Sequence, residues 1–187
     1  MLIVSGGDLV GKSTFVRKAY ERLNDMGFTH MPFHLTRPPR NFDYYRGYLN
    51  LISPYKIWDR FALDAIAYRK LDDYPCSITP MKWSLVEASC RKSAGYQIVL
   101  FCNDDDAIRK RYAERKDQEH MYDVEHAVRV NGVFRDMCLS RSIELRNRTY
   151  RYTIDHYVAT DAVESGTDLM WIIDAYVTHF NEWRRTR

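Results

Sequence analysis

Apolar and polar positions alternate along the chain in blocks that change period. LIVS, residues 2–5, reads as a buried strand, and the polar stretch SGGDLVGKST takes over from it at Ser5. Phe15, Val16, Ala19, Tyr20, Leu23 and Met26 then recur at helical spacing, and Gly27 supplies a stop signal. MPFHL, residues 31–35, predicts a second strand, closed by Pro38 and Pro39. Residues 42–52 predict a helix with Phe42, Tyr45, Leu49 and Ile52 on one face, ended by Pro54. YKIW predicts a short third strand, and residues 61–71 a helix. A loop with Pro75 and Pro80 precedes another helix over 81–93.

YQIVLFC, residues 96–102, is the clearest central strand, because an almost unbroken apolar run suits a parallel sheet covered on both faces. Two helices are expected next, over about 104–116 and 122–145. Asn103 is expected to cap the first, with Asp104, Asp105 and Asp106 favouring its dipole. RYTIDHY, residues 151–157, predicts the last strand. Thr167 and Asp168 are expected to open a final helix with Leu169, Ile173, Tyr176, Val177 and Phe180 as its apolar stripe. Strands alternating with helices imply an α/β, three-layer fold around a central parallel sheet of about five strands. Without a linker, repeat or low-complexity segment, residues 1–187 read as one domain.

Composition narrows the setting. The chain has 187 residues, 45% of them hydrophobic, enough for a substantial core. No run of eighteen apolar residues suggests a membrane span, and no basic leader with a long apolar core suggests secretion, so a cytoplasmic protein is expected. Cys76, Cys90, Cys102 and Cys138 are widely spaced, which fits reduced thiols and argues against a zinc or redox pair. His30 and His34 have the spacing of a helical metal pair, but Pro32 between them argues against a helix. Net charge is only +3, yet basic residues cluster at 109–116, at 141–151 and in the terminal WRRTR. Such clusters favour anionic partners, either nucleotide phosphates or a nucleic-acid backbone.

Gly6-Gly7-Asp8-Leu9-Val10-Gly11-Lys12-Ser13 matches GxxxxGK[ST]. Glycines at Gly6, Gly7 and Gly11 let backbone N–H groups turn inward around phosphate oxygens. The helix that follows directs its positive end, with Thr14 in its first turn, at the same anion. Lys12 would reach the β- and γ-phosphates, and the Ser13 hydroxyl would bind Mg²⁺. The strand before and the amphipathic helix after supply the required context. ATP and Mg²⁺ are therefore the expected cofactors. The chain carries no NKxD base-recognition motif and no DEAD-type box, which counts against a GTPase or a motor.

A phosphotransferase also needs charges for the acceptor, and in open α/β sheets ligands sit at the carboxyl ends of strands. Arg37 stands where the second strand stops, and Asp59 and Arg60 follow the third. With SGGDLVGKST, the segments TRPPR (36–40), DRFALDAIAY (59–68) and RYAER (111–115) resemble thymidylate kinase in order and position. The resemblance implies a kinase acting on a pyrimidine deoxynucleotide. It would place Asp8 at the deoxyribose 3′-hydroxyl, Arg37 and Arg60 on the acceptor phosphate, and Asp59 in the Mg²⁺ shell or at the acceptor oxygen. RYAER lies where an arginine-bearing lid belongs, over about 104–125. Some family members carry a catalytic arginine inside the phosphate loop. Leu9 and Val10 stand there in this chain, so Arg111 or Arg115 is expected to meet the transition-state charge. The two lie at i and i+4, a spacing that an anion between them would favour.

Two departures from the family pattern stand out. Ser5 replaces a usual glutamate, and the segment from Arg37 to Asp59 is short, which removes the usual base-stacking element. Arg40, Arg46, Tyr44 and Tyr48 are candidates for base or phosphate contact, while Phe42, Tyr45 and the four tryptophans, Trp58, Trp83, Trp171 and Trp183, are expected in packing. A shortened arm and basic clusters admit a second acceptor, a hydroxymethylpyrimidine base swung out of viral DNA. A deoxynucleoside kinase and a nucleotide-binding regulator without turnover are further alternatives. A nucleotide is the expected partner, DNA the alternative, a membrane is not expected, and a homodimer is left open.

Overall fold

The computed structural model describes residues 1–35, 42–71, 78–115, 123–145, 147–162 and 169–187. Along these run β1 (Leu2–Gly6), α1 (Lys12–Asp25), β2 (Met31–His34), α2 (Tyr44–Leu51), β3 (Lys56–Asp59), α3 (Ala62–Lys70) and α4 (Pro80–Lys92). They continue with β4 (Tyr96–Phe101), α5 (Asp105–Ala113), α6 (Val124–Ser140), β5 (Ser142–Leu145), β6 (Arg148–Arg151), β7 (His156–Ala159) and α7 (Trp171–Arg185).

Five strands form one parallel sheet in the order β2-β3-β1-β4-β7. The alternation of side chains along β1 explains its uniformly apolar sequence. Ile3 faces a core built with Trp58, Val99, Phe61 and Phe134, while Leu2 and Val4 face a second core with Ile57, Ile98, Phe15 and Tyr176. Helices α1 and α7 cover the second face. Helices α2, α3 and α4 cover the first, and α6 contributes to both. Among the described residues no helix is long and apolar enough to cross a membrane.

Parallel register sets the working edge. Val4 pairs with Asp59 and Gly6 with Leu100, so β1, β3 and β4 end close together. Edge strand β2 pairs His34 with Asp59 and brings its own end to the same place. At the opposite end of β2, buried His30 bonds the Tyr176 hydroxyl through Nε2 at 2.7 Å. The two histidines therefore stand apart on an extended segment, as Pro32 implied. Cys90, Cys102 and Cys138 are free and buried, and Cys76 lies outside the described residues.

Several boundaries differ from those the sequence predicts. Asp104, not Asn103, caps α5 by accepting from the Asp106 N–H at 2.9 Å. Helix α5 ends at Ala113 and α6 at Ser140, where Arg141 takes a left-handed φ of +52°. The polypeptide then makes an antiparallel hairpin, β5–β6, whose first strand occupies the last residues of the span expected to be helix. Ile143, Leu145 and Tyr150 drive this, since they alternate and bury against the α4 side of the core. Arg151 belongs to the hairpin, so the last sheet strand starts only at His156.

The apolar face of α2 is also different. Tyr44 and Tyr48 are the buried residues, while Phe42 and Tyr45 are only partly covered. Tyr44 and Tyr48 are thereby removed as base-contact candidates, and Arg46 pairs with Asp43 on the surface. Trp58 and Trp83 are core residues, but Trp171 is half exposed. Thr167 and Asp168, expected to open the last helix, lie outside the described residues.

Candidate functional site

The polar turn between β1 and α1 is built by glycine geometry. Gly6 holds a φ of +148°, and a Cβ there would run into the Leu100 carbonyl of the neighbouring strand. Gly11 takes a left-handed φ of +86° just before the first turn of α1. Leu9 adopts a φ of +66° without being glycine, a strained conformation of the kind found at functional sites. Among the described residues no side chain caps the start of α1, which leaves the N–H groups of its first turn, from Lys12, Ser13 and Thr14, available to an anion.

Lys12 is buried, and its ammonium folds back to donate to the Gly7 carbonyl. Burial, with Arg60 nearby, pushes its pKa below the usual lysine range. The Ser13 hydroxyl donates to Asp59 Oδ2 at 3.1 Å, which joins the loop to the end of β3. Asp59 is 4% exposed, and its Oδ1 is buried with no hydrogen-bond partner among the described residues. An orphaned buried carboxylate oxygen beside a loop hydroxyl is a donor set that suits a hard divalent cation. On that observation Ser13 and Asp59 fit Mg²⁺. Asp105, the competing carboxylate, instead lies 3.5 Å from Arg135, and Asp106 pairs with Arg109.

Arg60 follows with a left-handed φ of +73°, and its N–H donates to the Val4 carbonyl at 3.0 Å. That turn directs the guanidinium onto the Asp8 carboxylate, and the two form an ion pair. The Tyr68 hydroxyl donates to the other Asp8 oxygen at 3.2 Å, while the Arg60 guanidinium lies over the Tyr68 ring at 5.6 Å. Burial works to raise the Asp8 carboxyl, but the Arg60 and Lys12 charges outweigh it and hold it below the usual carboxylate range.

Sequence reasoning missed Asp64. Its buried carboxylate accepts from Ser5 Oγ at 2.6 Å, from the Phe61 N–H at 2.9 Å and from the Gly6 N–H at 3.4 Å. Gln97 completes the group by donating to Ser5 Oγ at 3.0 Å. Burial raises the Asp64 pKa against the hydrogen bond from Ser5. The carboxylate absent at Ser5 is thus supplied to the base of the loop by α3. The pattern offered one signal, an acid at the third helical position that returns to the N-cap backbone, but Phe61 is not a usual capping residue.

Arg111 reaches the outer side of the loop. It donates to the Leu9 carbonyl at 3.0 Å, to Thr160 Oγ1 at 3.0 Å and to the Thr160 carbonyl at 3.3 Å. With Gly11, Thr14, Lys18, Thr160 and Met170 it lines a cavity of about 240 Å³. Arg115 is exposed just past the end of α5, so the two arginines do not share a continuous helical face. Arg109 is engaged by Glu125 through two bonds of 3.0 and 3.2 Å, which tie α5 to α6. Arg37 and Arg40 lie outside the described residues. The structure therefore brings together Asp8, Lys12, Ser13, Asp59 and Arg60, with Arg111 on the far side of the loop.

No protein-family model and no curated protein matches the sequence. Among solved structures, the fold resembles YorR of Bacillus subtilis, determined in complex with phosphorylated GDP. The match covers 100% of this chain and 98% of that one, with a TM-score of 0.67 and 17% identity. At that identity the likeness shows the fold alone: an α/β protein with a five-stranded parallel sheet ordered 2-3-1-4-7.

Proposed function

We propose that this chain is an ATP- and Mg²⁺-dependent phosphotransferase that transfers the γ-phosphoryl group to a pyrimidine deoxynucleotide. The observation that carries the reading is the junction of two charge sets. Ser13, next to Lys12 in the loop, bonds Asp59, and Arg60, the residue after Asp59, pairs with Asp8 of the same loop. A nucleotide-binding regulator would need the first set only.

The donor phosphates would lie on the α1 N-terminus, with the nucleoside in the cavity beside Thr14, Lys18 and Arg111. Lys12 would exchange the Gly7 carbonyl for phosphate oxygens. Ser13 and Asp59 would hold the cation, whose charge offsets that of the β- and γ-phosphates. Arg60 would clasp the acceptor phosphate, assisted by Arg37 and Arg40, and Asp8 would then accept from the sugar 3′-hydroxyl. Arg111 and Arg115, at the root of the lid, would supply positive charge to the transferring group. A closed lid would exclude water and limit hydrolysis of ATP. The YorR complex holds phosphorylated GDP, so guanine nucleotides belong among the donors to be assayed.

One observation favours a second acceptor. Tyr44 and Tyr48 are buried, with the Phe42 ring packed edge-on against both, so these aromatics of the α2 region are committed to the core. A site with less stacking surface suits a base presented by a DNA strand. ADP release measured across deoxynucleoside monophosphates, nucleosides, and DNA with or without hydroxymethylpyrimidine separates the readings. Stimulation by modified DNA alone would replace the first.

A further inference from the structure

We propose that His34 is a third protein ligand of the divalent cation held at Ser13 and Asp59, and that its imidazole makes the site favour Mn²⁺ over Mg²⁺. The inference rests on the phosphotransferase reading of Ser13 and Asp59 and deepens it.

The argument starts from register. Parallel pairing of β2 with β3 sets His34 directly opposite Asp59 at the carboxyl edge of the sheet. His34 Nδ1 lies 3.0 Å from Asp59 Oδ2, and Ser13 Oγ lies 3.1 Å from the same oxygen. Neighbouring ligands of an octahedral ion with bonds of about 2.1 Å are about 3.0 Å apart. The three atoms thus have the spacing of adjacent vertices, with Asp59 Oδ2 common to both edges. Asp59 Oδ1 is the second indication, since it is buried and unpartnered among the described residues.

Packing does not account for the imidazole. The His34 side chain is 51% exposed on an edge strand, and its bond is to Asp59. In the bond seen, Nδ1–H donates to the Asp59 carboxylate; ligation would instead use the Nδ1 lone pair with the ring proton on Nε2, where exposure gives that N–H access to water. Chemistry then sets the preference. Mg²⁺ takes oxygen ligands and keeps its waters, whereas an imidazole nitrogen suits first-row transition ions. Mn²⁺ shares the octahedral oxygen coordination of Mg²⁺ but belongs to the first-row series whose affinities extend to sites with nitrogen ligands, of which it is the weakest-binding member.

The test is electron paramagnetic resonance of Mn²⁺ with the protein and a non-hydrolysable ATP analogue. Wild type should show hyperfine coupling to a directly bound ¹⁴N and should bind Mn²⁺ more tightly than Mg²⁺ in competition. His34→Ala should lose the coupling and about tenfold or more of the Mn²⁺ affinity, with a smaller change for Mg²⁺. His34→Asp, which substitutes an oxygen donor, should turn the preference toward Mg²⁺. Absence of nitrogen coupling in wild type overturns the proposal without needing any variant to fold. So does an unchanged Mn²⁺-to-Mg²⁺ ratio in His34→Ala. Ser13→Ala separates the two levels: Mn²⁺ binding unaffected by that change would defeat the cation-site reading itself.

Discussion

The Asp8 carboxylate and the Arg60 guanidinium form an ion pair that joins the turn between β1 and α1 to the end of β3. Both groups are largely buried, and Arg60 reaches Asp8 only because its backbone takes a left-handed turn locked onto Val4. On the proposed reading, an acceptor phosphate that binds Arg60 would compete with Asp8 and free its carboxylate for a hydroxyl, so that substrate entry and loop rearrangement would be coupled.

Tyr68 tests that coupling from its edge. Tyr68→Phe removes the hydroxyl that donates to Asp8 but keeps the ring beneath Arg60. A hydrogen bond to a charged group contributes roughly 1.5 kcal/mol, so the acceptor KM should rise about tenfold. The KM for ATP should stay within about twofold. Steady-state kinetics with each substrate varied in turn measures both, and an equal rise in the two constants would contradict the assignment.

Asp64 should matter for stability. Asp64→Ala leaves the Ser5 hydroxyl and the Phe61 N–H, both buried, without their acceptor. The loss should be on the order of 3 kcal/mol in urea denaturation. Asp64→Asn retains one acceptor oxygen and should lose less. Equal destabilisation by the two would mean that charge, not hydrogen bonding, is what the position supplies.

The His30 ring gives the fold an acid-sensitive point. Burial pushes its pKa from 6.5 down to about 4. Between those values the unfolded chain binds a proton that the folded chain does not. Stability from neutral His30 is therefore intact above about pH 6.5 and is lost as pH falls toward 4, with a total on the order of 2 kcal/mol. Urea titrations at several pH values should show that decline, and His30→Gln should flatten it.

Much of the fold was legible because its signals are local and redundant. The apolar run of β4, the Gly11-Lys12-Ser13 turn and the periodic face of α1 each state one structure. The β5–β6 hairpin was not legible: α6 and the hairpin form one stretch whose apolar residues fit either period until tertiary burial decides. On α2, Tyr44 and Phe42 are both aromatic, so periodicity alone did not say which faced the core. Within the site, contiguous motifs exposed Lys12, Ser13, Asp59 and Arg60. Asp64 and His34 were hidden because their partners are remote in sequence, Ser5 for one and Asp59 across a strand pair for the other. The roles of Arg37 and Arg40 stand as expectations drawn from resemblance.

The central claim, phosphoryl transfer from a nucleotide held by the Lys12 loop, is tested most directly by ADP release from ATP and Mg²⁺ or Mn²⁺ in the presence of pyrimidine deoxynucleoside monophosphates. The account predicts release stimulated by acceptor in wild type and abolished in Lys12→Ala, with the phosphoryl group recovered on the acceptor. Acceptor-stimulated turnover that persists unchanged in Lys12→Ala would contradict it.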